Sequence, residues 1–400
     1  MQNRWNDNEA KAFAKNPKEL RVYTSRLLGQ EKDLVLHGGG NTSLKLNAWN
    51  KAANSPPALF VKGSGWDLEN IETNGFAALR LDALLELAKR KELSDSEMVQ
   101  QQRGAMLDRN SPDPSVESIL HAIIPFHFVD HTHADAVLAI MNTEKGEDLI
   151  KEIYGDRILI MPYVMPGLKL AQMVYEQTRN IDWSRYEGLM LMHHGVFTFS
   201  DNGHGSYSRM IRLASEAETF LKINGAAVRL AESDTVLPES LDQLCQIVSD
   251  FRGQPVTVVL DQSAEAVGFS NHPDLSRIAA RGPLTPDHSI FAKRIPVILK
   301  SDFYSSVEAY ANEYKGYFER NATSALTRLD PAPRWAIWPG KGLLSFGSDQ
   351  NEARNIIDIA RHTVKVIQLS EHLGGWKPLS EADIFEVEYW ELEQAKLKAR

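Results

Sequence analysis

The sequence predicts an α/β protein. Short apolar runs typical of buried strands alternate with stretches whose apolar residues recur at helical spacing. The chain has 400 residues, of which 43% are apolar and 24% are charged, so it can bury a sizeable core. This length suits two domains, and breaks at "SDTVLPES" and "RGQP" lead us to expect a first domain over residues 1–240 and a second over 241–400.

The first part of the chain predicts a helix followed by strands and glycine turns. Apolar residues at helical spacing indicate a helix over 17–30. The run "DLVLHGGGNTSLKL" (33–46) predicts a strand, a glycine turn and a second strand. The run "ALFVKGSGWDL" (58–68) predicts a further strand that ends in a Gly/Ser turn.

The middle of the chain continues the alternation. Helical patterns cover 76–90 and 114–124, and Pro114 suits a first helical position with Asp113 as its N-cap. The longest helical pattern covers 205–231. Three apolar runs between these helices predict strands: "HTHADAVLAIM" (131–141), "RILIMPYV" (157–164) and "GLMLMHHGVFTF" (188–199).

The last third predicts a smaller α/β extension. A short helix reaches Phe251, the run "VTVVLD" (256–261) predicts a strand, and helical patterns follow near 303–315 and over 349–372.

Composition excludes several functional classes. The net charge is −9 and no Lys/Arg-rich run offsets it, which argues against a nucleic-acid partner. No apolar stretch approaches the roughly 20 residues of a membrane span, and the N-terminus is polar. The single cysteine, Cys245, cannot form a disulfide within one chain, which fits a reducing compartment. We therefore expect a cytoplasmic protein with neither a nucleic-acid nor a membrane partner.

Two histidines two residues apart suggest a metal site. Residues i and i+2 of a strand share a face, so His131 and His133 would point the same way if the segment is extended. Zinc binds neutral imidazole, and a catalytic zinc usually has three protein ligands and an open position. The alternative is a pair of half-exposed histidines at the start of a strand.

Other parts of the sequence offer a third ligand and a carboxylate. His193 and His194 follow a short apolar run, and neighbours on a strand face opposite ways, so only one of them can join the site. Glu117 and His121 share a face if their segment is helical. Glu117 suits either a ligand or a general base there, although an isolated glutamate is more often a solvated surface charge.

Two glycine turns indicate an anion site. "HGGGNTS" (37–43) exposes backbone N–H groups around Gly40, and "KGSGWD" (62–67) adds the cation of Lys62. Neither turn matches a P-loop or a dinucleotide fingerprint, and each alone also suits an ordinary loop. Together with Ser115 they suit a phosphate. These features indicate a metal-dependent lyase or hydrolase with a small anionic substrate.

Four motifs in order resemble the class II aldolase/adducin family. They are "HGGGNTS", "VKGSGWDL", "PSVESILHAIIPFHFVDHTHADAV" and "MHHGVFTF", which span roughly residues 20 to 230. The later segments "RGPLTPDH" and "DIFEVEYWELEQAKL" resemble the aldolase half of bifunctional rhamnulose-1-phosphate aldolase/alcohol dehydrogenase proteins. In those proteins a short-chain dehydrogenase follows, and no GxxxGxG turn is present here, so we expect an aldolase without its dehydrogenase.

The resemblance implies a fold and a set of roles. The fold is a three-layer αβα domain with a mostly antiparallel central sheet, and the assembly is a homotetramer. His131, His133 and His194 match the zinc ligands, and Glu117 matches the catalytic acid/base. The residues that match the phosphate loops are Asn41, Ser64, Gly65 and Ser115.

One position departs from the family pattern. Sugar-phosphate aldolases of this family carry two serines before the glutamate, whereas Val116 precedes Glu117 here, and Lys62 is a candidate to compensate. The tyrosine that protonates the leaving aldehyde has no clear match, and Tyr163 is a candidate by its nearness in sequence.

The resemblance implies an aldolase with Zn²⁺ or another divalent metal as its cofactor. We expect reversible cleavage of a ketose 1-phosphate similar to rhamnulose 1-phosphate, giving dihydroxyacetone phosphate and an aldehyde. The alternatives are a sugar-phosphate epimerase, a decarboxylating aldolase or a dehydratase of the same family. A non-catalytic adducin-like scaffold is disfavoured because all three histidines and Glu117 are present.

Overall fold

The computed structural model describes residues 1–13, 15–48, 50, 54–233, 235–323 and 326–392. These residues divide into two units. The first comprises Met1–Met141 and Gly146–Phe220, and the second comprises Asn142–Lys145 and the described residues from Leu221 to Leu392. None of the helices in the described ranges has the length and apolar character that a membrane crossing requires.

Helices and strands alternate along the first unit. Its helices are α1 (Asp7–Phe13), α2 (Pro17–Gly29), α3 (Leu81–Ala88), α4 (Asp95–Gly104), α5 (Ser118–Ile123), α6 (Asp135–Met141), α7 (Gly146–Tyr154), α8 (Leu168–Thr178) and α9 (Gly203–Ile223). Its strands are β1 (Asn41–Leu46), β2 (Ala58–Lys62), β3 (Phe76–Arg80), β4 (Phe128–Thr132), β5 (Ile158–Met161), β6 (Gly188–Leu191) and β7 (Gly195–Ser200).

The strands of the first unit form one mixed sheet. Among the described residues the sheet has seven strands in the order β3-β2-β1-β4-β7-β6-β5. The pair β5/β6 is parallel, and the other neighbours are antiparallel. The predicted, mostly antiparallel sheet is therefore confirmed.

Helices cover both faces of this sheet. Thr42 Oγ1 lies 2.8 Å from Ser25 Oγ on α2, whereas Ser43 Oγ lies 2.7 Å from His121 Nδ1 on α5. Adjacent strand residues point to opposite faces, so α2 and α5 lie on opposite sides. The predicted three-layer arrangement is confirmed. Apolar side chains of α3, α5 and α8, among them Leu84, Leu120 and Leu170, pack against the face that carries Ser43.

A buried ion pair joins helix α2, on the other face of the sheet, to the central strand β4. Arg21 Nη2 on α2 lies 2.6 Å from Asp130 Oδ1, and both side chains are fully buried. Arg21 also donates to the Ser43 carbonyl oxygen at 3.4 Å, and Ser206 on α9 donates to Asp130. Burial lowers the pKa of Arg21, and the carboxylate of Asp130 opposes that shift. The pair therefore anchors α2 and α9 to β4.

The second unit is the predicted C-terminal α/β extension. Its helices are α10 (Pro238–Arg252), α11 (Ala264–Ser270), α12 (Leu275–Ile278), α13 (Pro286–Ala292), α14 (Phe303–Asn321), α15 (Gln350–Glu371) and α16 (Glu381–Glu388). Its strands are β8 (Thr257–Asp261), β9 (Val297–Ile298), β10 (Trp335–Trp338) and β11 (Gly342–Gly347), paired in the order β8-β11-β10-β9.

The core of the second unit contains a polar cluster. Tyr314 Oη donates to Glu388 at 2.6 Å and lies 2.7 Å from Tyr389 Oη. Lys293 is buried and donates to the Ala332 carbonyl oxygen at 2.8 Å. These contacts give partners to groups that would otherwise be costly to bury.

Two strand predictions are wrong. Residues 33–36 are not a strand: residues 32–34 form a turn, in which the Leu34 and Val35 N–H groups both donate to the Glu31 carbonyl oxygen, and residues 35–36 are irregular. The apolar run 131–141 is a strand only to Thr132 and a helix from Asp135, since a fully buried apolar run does not distinguish a strand from a helix.

Three helix predictions need correction. Residues 76–80 of the predicted helix 76–90 pair with β2, so tertiary pairing overrides their helix propensity. Pro114 does not open a helix: it forms a bridge with Gly63, and α5 begins at Ser118. The predicted helix 205–231 ends at Ile223, two residues before Gly225, which has a φ of 75°.

We expect Arg21→Met to lower the free energy of unfolding by about 3–5 kcal/mol, because it leaves the Asp130 carboxylate buried without its cation. Urea denaturation followed by circular dichroism would measure this. The control is Arg21→Met/Asp130→Leu, which removes both charges and should recover much of the loss, since Ser206 keeps a second acceptor in the Thr198 carbonyl oxygen. A double variant at least as unstable as Arg21→Met would contradict the assignment.

Candidate metal centre and active site

The ends of three central strands meet at one edge of the first sheet. Strand β1 begins at Asn41, the antiparallel strand β4 ends at Thr132, and β7 begins at Gly195. In the pairing register Asn41 lies opposite His131, and Thr132 lies opposite Val196. Residues that are far apart in the sequence are therefore brought together there by backbone hydrogen bonds.

Three imidazoles converge at this edge. His131, His133 and His194 each offer a ligand atom, and these atoms all lie within 4.8 Å of one another. His131 Nε2 and His133 Nε2 are 3.2 Å apart. Two nitrogen ligands of a tetrahedral zinc ion, at bond lengths of about 2.0–2.1 Å, would be separated by roughly 3.3 Å. The spacing of the donors therefore fits one metal ion.

The tautomer of His131 also suits a ligand. Its Nδ1 lies 3.1 Å from the Val196 carbonyl oxygen, and because a carbonyl only accepts, Nδ1 carries the proton. The lone pair of Nε2 then faces the other histidines, as in many metal sites. Burial lowers the pKa of His131 well below its ordinary value, and the neighbouring His194 lowers it further. The imidazole is therefore neutral at neutral pH.

His131 and His133 point towards each other, but not as two residues of one strand as predicted. His131 lies in β4, but His133 follows the end of that strand. Its N–H donates to the Leu34 carbonyl oxygen at 2.8 Å, which holds the backbone in place as the strand ends.

His193 and His194 lie in the turn between β6 and β7, not on a strand as predicted. His193 has a φ of 57°, a left-handed conformation that is uncommon for a non-glycine residue. Only His194 joins the cluster, whereas the ring of His193 contacts Tyr163 edge-on at a centroid distance of 6.3 Å. The turn geometry, and not strand alternation, separates the two side chains.

Glu117 faces the imidazoles from the N-cap position of α5. Its Oε1 lies 3.2 Å from His194 Nε2, and its Oε2 lies 3.5 Å from His131 Nε2. Oε2 accepts a hydrogen bond from Asn41 Nδ2 at 2.6 Å, while Oε1 is buried and accepts none. A buried carboxylate oxygen without a donor, facing nitrogen lone pairs, is the environment that a divalent cation would complete.

The two glycine turns lie beside this centre. Lys62 Nζ donates to the Gly38 carbonyl oxygen at 2.8 Å and to the Trp66 carbonyl oxygen at 2.7 Å, so it ties the turns together. The Ser115 N–H donates to the Lys62 carbonyl oxygen at 3.2 Å, and Ser115 Oγ lies 3.3 Å from Asn41 Nδ2. The structure thus brings together residues from both turns and Ser115.

The remaining predicted residues lie within the same turns. Gly40 and Gly65 have φ values of 60° and 80°, and Ser64 donates its N–H to the Asp113 carbonyl oxygen at 2.8 Å.

Two residues of the site were not predicted as part of it. His121 is fully buried, and its ring nitrogens contact Ser43 Oγ and Asn41 Oδ1. Its position four residues after Glu117 was the available signal. Gly195 packs so closely that an added Cβ would lie 2.8 Å from His131 Cε1 and 2.8 Å from His133 Cδ2. Its place directly after His194 gave no indication of this contact.

The fold and the site define an α/β protein of the class II aldolase type. The family model described as the class II aldolase and adducin N-terminal domain matches residues 19–221, and the model for the second domain of class II aldolases matches residues 235–397. The chain belongs to the class II aldolase and adducin family.

Individual relatives are similar over large parts of the chain. An uncharacterized oxidoreductase of Bacillus subtilis, YuxG, is 31% identical over 98% of this chain, and the chain spans 60% of the length of that relative. The N-terminal class II aldolase domain of a conserved Thermoplasma acidophilum protein is 41% identical, with 55% of this chain and 99% of that chain covered and a TM-score of 0.49. A sugar-phosphate aldolase from Thermotoga maritima is 15% identical, with 53% and 96% covered and a TM-score of 0.39.

We expect Gly195→Ala to weaken metal binding by roughly 10–100-fold, because the added methyl group would lie 2.5 Å from the Thr132 carbonyl oxygen, between two of the three histidines, and would also push on both of their imidazoles. Titration of the metal-free protein with Co²⁺, followed by visible absorption, would measure the affinity. Gly104→Ala is a matched control, since no atom lies within 4 Å of the added Cβ. Equal affinity in the two variants would show that the imidazoles do not form the binding site.

Proposed function

We propose that the protein is a zinc-dependent aldolase that reversibly cleaves a ketose 1-phosphate to dihydroxyacetone phosphate and an aldehyde. The observation that carries this proposal is the convergence of three imidazoles and the Glu117 carboxylate beside two linked glycine turns. This arrangement suits a substrate with a phosphate at one end and oxygens next to the scissile bond.

In this proposal His131, His133 and His194 hold Zn²⁺ or another divalent ion. When bound, the ion supplies Lewis-acid stabilisation for negative charge that develops on substrate oxygens during cleavage. Support comes from the Val196 contact that leaves His131 Nε2 unprotonated, and from the 3.2 Å separation between that atom and His133 Nε2. The fourth position is left for substrate.

Glu117 is the proposed acid/base. In the cleavage direction it delivers a proton to the carbon that loses its bond to the aldehyde, and in the synthetic direction it removes that proton. One oxygen is held by Asn41, while Oε1 is free of hydrogen bonds and can carry the proton. Tyr163, beside His193, is the candidate for accepting the proton of the hydroxyl that becomes the aldehyde, and for returning it in the synthetic direction.

The phosphate end is assigned to the two turns. The proposed binding residues are Gly40, Asn41, Lys62, Ser64, Gly65 and Ser115. Val116 supplies no hydroxyl where relatives carry a serine, and the charge of Lys62 at the junction of the turns offsets that loss. The hydrogen bond from Asn41 Nδ2 to Ser115 Oγ is long, at 3.3 Å, and therefore weak. A phosphate oxygen can replace Ser115 as the acceptor for this amide.

The proposed substrate is a deoxy-sugar phosphate such as rhamnulose 1-phosphate, and the expected assembly is a homotetramer. Both follow from the family resemblance.

We expect zinc-loaded protein to release dihydroxyacetone phosphate from a ketose 1-phosphate in a panel that also holds ketose 5-phosphates and unphosphorylated keto acids. Reaction of 5-phosphates alone without carbon–carbon cleavage would replace this function with epimerisation, and reaction of keto acids with loss of CO₂ would replace it with decarboxylation.

We expect Glu117→Gln to lose roughly 10²–10⁴-fold in turnover and to keep its metal. Glutamine preserves the acceptor for Asn41 but cannot exchange a proton at neutral pH. Steady-state kinetics and metal analysis of the same preparation would measure both quantities. Turnover close to that of the parent protein would show that the acid/base lies elsewhere.

We expect His194→Ala to lose stoichiometric zinc, because it removes one of three donors, and His193→Gly to retain zinc. Glycine also relieves the left-handed backbone at position 193. Elemental analysis after dialysis would measure zinc per chain. Loss of zinc in His193→Gly with retention in His194→Ala would reverse the assignment of the two histidines.

A further inference from the structure

A chain of four buried side chains lies behind the Glu117 carboxylate. Ser43 Oγ is 2.7 Å from His121 Nδ1, His121 Nε2 contacts Asn41 Oδ1, and Asn41 Nδ2 is 2.6 Å from Glu117 Oε2. Ser43 and His121 are 0% exposed, and Asn41 and Glu117 are 6% exposed. Water therefore has little access to these contacts, and each donor needs its acceptor within the chain.

The chemistry of the groups sets the direction of every hydrogen bond. An ionised carboxylate only accepts, so the Asn41 amide must present its NH₂ group to Glu117 and its oxygen to His121. The oxygen of Asn41 only accepts, so His121 must carry its proton on Nε2. Nδ1 of the neutral ring is then an acceptor, and the Ser43 hydroxyl donates to it.

We propose that His121 is a positioning residue that acts on Glu117 through Asn41, in the Nε2–H tautomer that the Asn41 oxygen requires and to which the Ser43 hydroxyl donates. The role rests on the proposed function only in what Glu117 does to substrate. The order of the hydrogen bonds is independent of the reaction.

The chain explains how one carboxylate oxygen is held while the other stays available. With His121 in place, a 180° rotation of the Asn41 amide is unfavourable at both ends. It would place the amide oxygen against the Glu117 carboxylate, and the NH₂ group against the His121 N–H. Oε2 therefore stays bound to Asn41, and Oε1 stays directed at His194. Without His121 the Asn41 oxygen loses its donor, which is one of the contacts that fix the amide, and the carboxylate is held less firmly.

The ring of His121 also has a packing contact, and the test must separate packing from positioning. It meets Phe197 edge-on at a centroid distance of 5.4 Å, and Phe197 stacks on His131 at 4.1 Å. His121→Phe keeps an aromatic ring there but donates to nothing. His121→Gln gives up the ring, yet its amide N–H can still donate to Asn41 Oδ1.

We expect His121→Phe to lower kcat by roughly 10–100-fold while zinc content stays unchanged. Its thermal midpoint should fall, because Ser43 Oγ and Asn41 Oδ1 lose their buried partner. His121→Gln should recover most of kcat. In an Asn41→Ala background His121→Phe should cause no further loss, because the effect passes through Asn41. Equal losses in the Phe and Gln variants, or additive losses with Asn41→Ala, would overturn the positioning role.

A second readout does not depend on activity. In metal-free protein labelled with ¹⁵N-histidine, we expect His121 to show a neutral ring protonated on Nε2, with its signals assigned by their absence from His121→Gln. Asn41→Ala, which removes the acceptor at Nε2, should shift the ring towards the Nδ1–H tautomer with Ser43 Oγ as acceptor, whereas Ser43→Ala should leave the ring protonated on Nε2. A ring protonated on Nδ1 or doubly protonated in the parent protein would overturn the inference even if aldolase activity is found. Loss of the proposed aldolase function would leave the tautomer result standing.

Discussion

Backbone pairing between β1, β4 and β7 is the constraint on which the candidate site depends. It sets Asn41 opposite His131 and His131 opposite Phe197, so β4 has a fixed neighbour on each side. A slip of one residue would turn His131 to the other face and bring Asp130 into its place. The ion pair between Asp130 and Arg21 disfavours such a slip, because the slip would separate the buried Asp130 carboxylate from its cation.

The polar groups near the three histidines differ in whether they have hydrogen-bond partners. Ser43, His121 and Asn41 have their hydrogen bonds completed within the protein. Glu117 Oε1 and His194 Nδ1, by contrast, are buried and lack hydrogen-bond partners. In a folded core such atoms are uncommon and usually have a functional reason. The unsatisfied atoms lie on two of the residues that face the proposed metal, whereas the groups behind them are fully paired.

The sequence predicted the layers of the fold, the mixed sheet and the residues that meet at its edge, but several reasons for that meeting came only from the structure. His131 and His133 were predicted to share a face as strand residues, although His133 follows the strand and is held by the carbonyl oxygen of Leu34. Glu117 caps a helix that begins at Ser118, whereas its first residue was predicted to be Pro114. Local patterns show residue types and spacing, whereas bridges such as Gly63–Pro114 depend on segments about 50 residues apart.

Lys62 shows how the two ends of the proposed site are linked. A lysine is a compact charge with three donors, and two of them are used on carbonyl oxygens of the two glycine turns. These two contacts fix the position of the Lys62 ammonium group. That charge also lowers the pKa of His131, after the larger effects of burial and of His194. The Lys62 cation at the junction of the two glycine turns thus helps keep His131 neutral, which is the state that the proposed metal would need.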